Sequence, residues 1–590
     1  MCCLWTQGAL EDCRWALRVD EECLKAAVLQ GKAHVGLKQY DTAIECYNKA
    51  KKIDPRKESV VNDYIDRARI RQAAELDEKR AGETFEASSE AGLVSVLDKL
   101  KKPCQPMLYY IGGLELVRQK LSDPLARTLF RSNGGFDLAS SHCKISGCLN
   151  AEPSNLSASD VELTALYVTI LRVACVDSDE NQFHVLAMKQ LPQQLMTFIE
   201  CFADVPTCHD VVAAAVDLLL YLSQTARNRS QIVLQYDAVR LISAAFVIAQ
   251  LQSVQGGSVA INTQRLICNL AMNERLRREL RDDFEQSVVA SFISLLDSDS
   301  LAAAASATLS VKTMVNLCGD EWLRRRLSVN QSTWSACVRA LSKLADQQSA
   351  ELTSSLVSLL ANMATSGTAS ATQHDLVQLS GICTDLVTRL PASDRSELID
   401  RCYLLLSRVL KVNSECVESI VRKQFINAAS RDLHHLLHHQ GDEQQQQDED
   451  GDGASDVLRH CLAALTACTL HSDLSRQQLT DSKPPVLRLL VELIVSHQSY
   501  DDVLIGNAAL CLSHCVHLPS AVDQLTTAAG NPDIVMSLLV LARDQAKPTV
   551  QHNCAILIAK LVQQHEPFLD RLRQLHGLEI LHSVLRHVEH

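Results

Sequence analysis

The sequence lacks the residue patterns that mark the common classes of enzyme. It has no HExxH zinc motif, no GxSxG nucleophile turn, no Walker phosphate-binding loop and no GxGxxG dinucleotide motif. No acid and base pair is singled out by any motif. We therefore expect a protein that is not an enzyme and that needs no cofactor or metal.

Aromatic residues are also scarce, and the 22 cysteines form no CxxC pair. Aromatics make up 4% of the chain while leucine and alanine are abundant, which favours stacked helices over a β-sandwich. The cysteines fall at apolar helix positions, such as Cys268, Cys318, Cys468, Cys511 and Cys554. This distribution predicts buried, reduced thiols of a cytoplasmic protein rather than a disulfide framework.

The chain has no excess of basic charge and no long apolar run. Its 57 basic and 70 acidic residues give a net charge of −13, with the two signs mixed along the sequence. Nucleic-acid binding requires a basic face, so we expect no nucleic-acid partner. The longest stretch without charge, 241–264, is interrupted by Ser, Gln, Gly, Asn and Thr, so no membrane span is expected.

The clearest organised feature is a unit that occurs twice near the C-terminus. Apolar-periodic segments at 484–495 and 502–516 return at 532–542 and 549–562, the second pair joined by a loop that holds Pro548. Asn507 matches Asn553 at a shift of 46 residues. A period in the forties, with helices and no strand signal, is typical of armadillo and HEAT repeats.

The same period extends upstream through one apolar residue near the end of each unit. We call these the marker residues: Val173, Leu222, Leu270, Leu317, Met363, Val409, Cys468, Cys515 and Leu561. Their separations are 46 to 49 residues, except for 59 between Val409 and Cys468. That interval holds an acidic and Gln-rich insertion at about 440–455, which we expect to be disordered.

The N-terminus carries a different period of 34 residues, the tetratricopeptide length. Ala9 and Ala16 recur as Ala43 and Ala50, and 25–55 reads as one complete unit. Gly31 is expected to let the two helices of that unit approach closely. Because the preceding unit is represented only by its second helix, we expect the sequence to be incomplete at its N-terminus.

These patterns predict an all-α protein of the α-solenoid class. A partial tetratricopeptide segment would occupy 1–56, followed by a charged, solvated helical linker at 57–90 and an armadillo-like repeat array at 91–590.

A recurring asparagine marks a candidate partner-binding groove. Asn269, Asn316 and Asn362 lie at steps of 47 and 46 residues. In armadillo families the matching Asn projects into a groove and binds the backbone of an extended partner. Nuclear-import adaptors of this class carry Trp four positions earlier, where this chain has Arg265, Lys312 and Ser358, so a basic-peptide groove is not expected. The alternative is that each Asn holds a loop between repeats.

Three other clusters have weaker functional interpretations. Histidines 434, 435, 438 and 439 have the i, i+4 spacing of metal ligands, but beside a low-complexity insertion they are expected to be solvated. The Arg-rich stretches 275–280 and 322–327 alternate with acids and are expected to be solvated helix faces. Lys25 stands at the first position of a tetratricopeptide carboxylate clamp, but Leu29 replaces the usual Arg, which argues against chaperone docking by that mode.

Four segments resemble a family of proteins that join tetratricopeptide and armadillo repeats. They are DDVLIGNAALCLSHC (501–515), RLRQLHGLEILHSVL (571–585), YYIGGLELVRQKL (109–121) and TLFRSNGGF (128–136). The resemblance implies a cytoplasmic factor for preassembly of axonemal dynein arms in motile cilia and sperm flagella. Its implied partners are dynein-arm subunits, with assembly factors and heat-shock chaperones as further candidates. The alternative is a myosin-type co-chaperone or a general protein-interaction adaptor.

Overall fold

The computed structural model describes residues 2–87, 92–253, 258–297, 304–344, 350–390, 397–443, 452–527, 534–544 and 546–588. Every regular element in these ranges is a helix, so the predicted all-α class is confirmed. The chain divides into two compact units, 1–279 (unit 1) and 280–590 (unit 2).

Unit 1 begins with the tetratricopeptide helices and continues into the first armadillo-like repeats. Its α-helices are α1 (Cys2–Val19), α2 (Leu24–Gly36), α3 (Tyr40–Ile53), α4 (Glu58–Ala87), α5 (Gly92–Leu100), α6 (Met107–Lys120), α7 (Pro124–Ser132), α8 (Leu138–Ser141), α9 (Cys143–Asn150), α10 (Ala158–Ala174), α11 (Asp179–Leu186), α12 (Leu191–Glu200), α13 (His209–Leu222), α14 (Ala226–Gln235), α15 (Ala238–Ser253), α16 (Ser258–Leu270) and α17 (Glu274–Glu279). Short 3₁₀ turns lie at Pro55–Lys57, Pro153–Asn155 and Pro206–Cys208.

Helices α2 and α3 form the hairpin that the 34-residue period predicts. Ala43 and Ala50 of α3 are fully buried where the helices cross. A Cβ atom at Gly31 would overlap the ring of Tyr47, so the close approach expected at this glycine is confirmed. Small residues at the crossing allow the two backbones to pack at short range.

Helix α4 differs from the solvated linker that the sequence predicts. Val61, Ile65 and Ala68, spaced by four and three residues, are buried and form one cluster with Tyr47 and Ala50 of α3. The charged residues lie mostly on the opposite face, where Asp66 and Arg69 are exposed. The expectation of a solvated helix is therefore corrected, because one face of α4 covers the core of the tetratricopeptide hairpin. The division at 57–90 stays a prediction.

The armadillo-like repeats of unit 1 stack through their last helices. We call the last helix of each repeat its third helix. In unit 1 the third helices that end at marker residues are α10, α13 and α16; α10 packs against α6 and α13, and α13 packs against α16. Helix α10 begins with a capping box, in which Ser157 and Asp160 satisfy each other's backbone N–H groups.

Unit 2 continues the repeat pattern with helices alone. Its α-helices are α18 (Ala290–Asp297), α19 (Ala304–Leu317), α20 (Glu321–Ser328), α21 (Gln331–Leu344), α22 (Ala350–Ser366), α23 (Gln373–Arg389), α24 (Glu397–Val412), α25 (Ser414–Arg422), α26 (Phe425–Glu443), α27 (Asp452–His471), α28 (Asp473–Thr480), α29 (Val486–Val495), α30 (Asp502–Cys515), α31 (Pro519–Thr527), α32 (Ile534–Arg543), α33 (Pro548–Gln564), α34 (Glu566–Gln574) and α35 (Gly577–Val588). A π-helical turn lies at Phe284–Val289 and a 3₁₀ turn at His497–Ser499.

The third helices of unit 2 are α19, α22, α24, α27, α30 and α33, each packed against the next. All six marker residues of this unit lie in the last turn of these helices and are buried. The 46-residue spacing therefore measures one structural repeat, and the predicted α-solenoid is confirmed. Half of the predicted insertion at about 440–455, namely 444–451, lies outside the described residues; 440–443 are the end of α26 and 452–455 are the start of α27.

One local expectation is wrong. Pro548 was expected in a loop but is the first residue of α33. The first position of a helix suits proline, because its missing N–H has no intrahelical partner there and its fixed φ angle is already helical.

Candidate partner-binding surfaces

In unit 1, α16 presents Arg265 and Asn269 one helical turn apart. Arg265 is exposed and Asn269 is half-buried. The Nδ2 atom of Asn269 donates a 3.0 Å hydrogen bond to Oγ of Ser223. Because Ser223 is buried at the C-terminal end of α13, this bond joins two adjacent repeats. Asn269 thus makes the contact that the structural alternative predicts, and Arg265 is the residue left open to a partner.

In unit 2, Lys312 and Asn316 lie on α19 and Asn362 lies on the neighbouring α22. All three are half-buried. Nζ of Lys312 lies 2.7 Å from Oε1 of Glu351, and both side chains are substantially exposed. Ser358, at the position matching Lys312, donates its hydroxyl to the Ser354 carbonyl. The row formed by Lys312, Asn316 and Asn362 is therefore polar and reachable, with its lysine held by an exposed ion pair.

Lys25 is exposed on α2, and Leu29 is exposed one turn later on the same helix. A carboxylate clamp uses cationic or amide donors at both places, and the leucine supplies neither. Lys25, the candidate residue of the tetratricopeptide groove, therefore has no basic residue beside it at the second clamp position.

A set of arginines that no sequence motif marks holds the ends of the third helices. Nη1 of Arg229 donates to the carbonyl oxygens of Ser223 (3.0 Å) and Gln224 (2.9 Å), just beyond α13. Arg476 binds the carbonyls of Thr469 and Leu470 at the end of α27 in the same way. A cation at a helix C-terminus satisfies free carbonyl groups and opposes the helix dipole.

A periodic signal for these arginines was present in the sequence. Arg229 and Arg277 are separated by 48 residues, the same separation as the marker residues Leu222 and Leu270. Arg277 reaches the Ala271 carbonyl at 3.5 Å, beyond the end of α16. The spacing alone did not reveal the role, because the bound carbonyls carry no side-chain signature.

The Arg-rich stretches at 275–280 and 322–327 form paired surface helices, as predicted. On α17, Arg275 pairs with Glu279 at 2.7 Å and Arg278 pairs with Glu274 at 3.3 Å. On α20, Arg325 pairs with Glu321. These i, i+4 ion pairs neutralise arginine charges that a basic patch would need.

Farther along unit 2, histidine replaces asparagine in the third-helix row. His514 of α30 immediately precedes the marker Cys515 and is only 9% exposed. Its Nδ1 lies 3.0 Å from Oγ1 of Thr469 on α27. Burial, reinforced by the positive charges of Lys560 and Arg476, lowers the pKa of His514 to about 4. The imidazole is therefore neutral near pH 7 and acts as a hydrogen-bonding link between repeats.

Among the residues whose side chains the structure describes, the cysteines are free and mostly buried, and the five named at apolar helix positions are all buried, as predicted. Within the described ranges, no group of three or more His, Cys, Asp or Glu side chains is placed to hold a metal ion. His438 and His439 lie in α26, where the structure describes their backbone alone.

No single helix in the described part of the chain combines the length and apolarity of a membrane span. Two helices joined by a bend, Ala226–Gln235 and Val239–Ile248, have the length and apolar composition of a membrane span only when they are taken together.

Comparison with known proteins gives matches over almost all of this chain. No protein-family model matches the chain. A mouse protein is 29% identical over 592 residues, covering 99% of this chain and 78% of its own length. A human protein is 27% identical over 593 residues, covering 99% of this chain and 77% of its own length. Both are tetratricopeptide repeat protein 12. The chain is similar to tetratricopeptide repeat protein 12 over almost its whole length. The resemblance seen in the four sequence segments is thus confirmed across the chain.

Solved structures share the fold at low sequence identity. A chain from work on the phosphorylation switch that controls the interaction between cadherin and β-catenin matches with a TM-score of 0.59 at 14% identity, covering 90% of this chain and 97% of its own. An engineered protein matches with a TM-score of 0.53 at 16% identity, covering 80% of this chain and 99% of its own. These likenesses concern the repeat-solenoid fold alone.

Proposed function

We propose that this chain is a non-enzymatic cytoplasmic scaffold for the preassembly of axonemal dynein arms of motile cilia and sperm flagella. The observation that carries the proposal is its similarity to tetratricopeptide repeat protein 12 over 99% of its length. The repeat-solenoid fold supports the general role of protein interaction, because stacked repeats expose long surfaces to a partner. The dynein assignment rests on the family resemblance.

The surface proposed for the partner is the third-helix row within each unit. Arg265 of α16 offers an exposed guanidinium in unit 1, and Lys312 of α19 offers an ammonium group in unit 2. A partner carboxylate at Lys312 would compete with Glu351, whose ion pair is exposed and therefore contributes little stability. We expect polar or acidic partner segments at both places, with Asn316 and Asn362 as further contacts.

The domain plan belongs to the same proposal. A tetratricopeptide segment at 1–56 would act beside the armadillo-like array, with assembly factors or heat-shock chaperones as its partners. Lys25 is the candidate contact of that segment. Because Leu29 occupies the second clamp position, we expect any such binding to use a mode other than the carboxylate clamp.

The experiment is capture of partners from a lysate of ciliated tissue with the tagged chain, followed by mass spectrometry. We expect enrichment of axonemal dynein-arm subunits over a bait of the same size and charge. Enrichment of myosin without dynein-arm subunits would contradict the proposal and support the myosin-type co-chaperone alternative.

A further inference from the structure

A cleft of about 320 Å³ lies within unit 1, between α4, α11 and the N-terminal half of α14. Helix α4 contributes Arg67, Arg69 and Ile70 to its lining, α11 contributes Phe183, and α14 contributes Arg227. The cleft therefore lies where the last helix beside the tetratricopeptide hairpin meets the first armadillo-like repeats. It is separate from the third-helix row.

The floor of the cleft is fixed by a buried amide pair. Nδ2 of Asn228 donates to Oε1 of Gln182 at 2.7 Å, and Nε2 of Gln182 donates to the Cys175 carbonyl at 3.2 Å. Each of the two side chains is 9% exposed. A buried pair with both amides hydrogen-bonded holds its shape, so the floor is a preformed surface.

One wall of the cleft is apolar. Ile70, Phe183 and Leu186 line it, and the Arg71 guanidinium lies over the Phe183 ring at 5.8 Å from its centroid. This stacking keeps the aromatic ring in place at the mouth of the cleft. An occupant therefore meets an apolar surface beside the polar floor.

Two of the cationic groups, Arg67 and Arg227, share one carboxylate. Nη2 of Arg67 lies 2.7 Å from Oδ2 of Asp63, and Nε of Arg227 lies 3.4 Å from Oδ1 of the same residue. One carboxylate thus serves two guanidinium groups, one from α4 and one from α14. Nε of Arg67 is buried and donates to no atom of the described residues. An unused buried donor costs free energy that an acceptor in the cleft would recover.

We propose that this cleft binds a carboxylate side chain of an acidic peptide segment, held between Arg67 and Arg227, with an apolar neighbour of that side chain against Phe183. The planar guanidinium forks match the geometry of a carboxylate. Asp66 and Asp179 line the same cleft and Asp63 pairs with both arginines, so these three carboxylates repel a doubly charged phosphate more strongly than a singly charged carboxylate.

The proposal goes beyond the scaffold function above, because it concerns other residues and a ligand defined by its own chemistry. A segment bound here would contact both α4 and α14. It would stabilise the junction between the tetratricopeptide hairpin and the first armadillo-like repeats. Failure of dynein capture would leave this binding site untouched, and failure of the peptide test would leave the scaffold proposal untouched.

The test measures binding of a short fluorescein-labelled peptide, with glutamate beside leucine in a Gly-Ser background, by fluorescence anisotropy on the full chain. We expect binding that Arg67→Gln and Arg227→Gln each weaken about tenfold, as loss of a charge-assisted contact should. Arg67→Lys, which keeps the charge but loses the Nε donor, should weaken it similarly. The control is Arg240→Gln, an exposed arginine paired with Glu200 away from the cleft, which should bind as the wild type does.

Four results would overturn the proposal. They are no binding of the peptide, equal binding of its glutamine analogue, an equal loss in the Arg240→Gln control, and displacement of the peptide by millimolar inorganic phosphate. The last would identify a phosphate site. If Arg67→Gln lowers the melting temperature, the affinities of Arg227→Gln and Arg67→Lys are compared with that of the wild type instead. Wild-type affinity in both of these variants would also overturn the proposal.

Discussion

At the residue scale, polar side chains connect each repeat to the next. Arg127 of α7 makes three such hydrogen bonds. It is 9% exposed and donates to the carbonyls of Leu121 (2.9 Å), Ser122 (3.0 Å) and Val176 (2.6 Å). A guanidinium offers five donors in a fixed fork, so one side chain holds the end of α6 and the turn after α10 together.

We expect Arg127→Met to lower the free energy of unfolding of unit 1 by about 3 kcal/mol, because three backbone carbonyls lose the donor that they share, the buried Arg127 guanidinium. The matched control is Arg118→Met on α6, which removes an exposed pair with Glu115 and should change the free energy by about 0.5 kcal/mol or less. Urea denaturation measures both. Equal effects of the two substitutions would show that Arg127 is not a link between repeats.

The neutral His514 gives unit 2 a pH dependence with a definite sign. Its pKa is about 4 in the folded protein and ordinarily about 6.5, so the unfolded chain binds a proton more readily. The stability that this difference provides is complete above pH 6.5 and is lost as the pH falls towards 4.

We therefore expect the wild type to lose on the order of 3 kcal/mol more than His514→Gln between pH 7 and pH 4, since glutamine does not titrate. Denaturation of both proteins across this pH range measures the difference. His552→Gln, an exposed histidine on α33, is the control and should retain the wild-type slope. Parallel acid slopes for wild type and His514→Gln would contradict this explanation.

At the scale of the element, α4 is a structural helix with one buried apolar face. Its buried residues complete the core of the α2–α3 hairpin, which would otherwise expose the Tyr47 face. Its arginines face the first armadillo-like repeats at the cleft. The helix therefore supports the hairpin and lines a surface at the same time.

Ile65→Ala should destabilise this contact by about 2 to 4 kcal/mol, because it removes buried methyl groups and leaves a cavity. Hydrogen exchange would report it as lost protection in α3 and α4, with the third helices unchanged. Val60→Ala, at an exposed position on the same helix, is the matched control. Unchanged protection in Ile65→Ala would mean that α4 does not cover the hairpin core.

Sequence periodicity predicted the long helices because their apolar residues repeat strongly. The marker residues from Val173 to Leu561 all lie in last turns of third helices. The short helices between repeats, such as α14, α28 and α31, were not predicted. They are polar and only 8 to 10 residues long, and contacts such as those of Arg229 and Arg476 hold them in place.

For the candidate sites, periodicity indicates which residues face outward but not which contacts they make with the adjacent repeat. The exposure of Arg265 follows from its place on a periodic helix. The bond from Asn269 to Ser223 does not, because it depends on where the adjacent repeat ends. The cleft beside α4 was missed because its lining comes from helices more than 100 residues apart, and a charged stretch such as 57–87 gives no sign of its packed face.

At the scale of the whole molecule, the chain is a set of helical repeats whose polar surfaces suit it to hold other proteins. In the described ranges, the surfaces that we propose for binding are the third-helix rows and the α4 cleft. We propose that the cations of the rows, Arg265 in unit 1 and Lys312 in unit 2, take part in binding dynein-arm subunits.

The most direct test is quantitative capture of axonemal dynein-arm subunits from ciliated-tissue lysate by the Arg265→Ala, Lys312→Ala double variant. Arg240→Ala with Lys423→Ala is the matched control, because Lys423 is 43% exposed and paired with Asp385 at 2.9 Å, while Lys312 is 43% exposed and paired with Glu351 at 2.7 Å. Asn269 is left in place because it joins two repeats. We predict that the double variant retains its melting temperature and loses about tenfold or more of the captured subunits, while the control captures them as the wild type does. Equal capture by the double variant and the control would contradict the assignment of the third-helix row as the partner-binding surface.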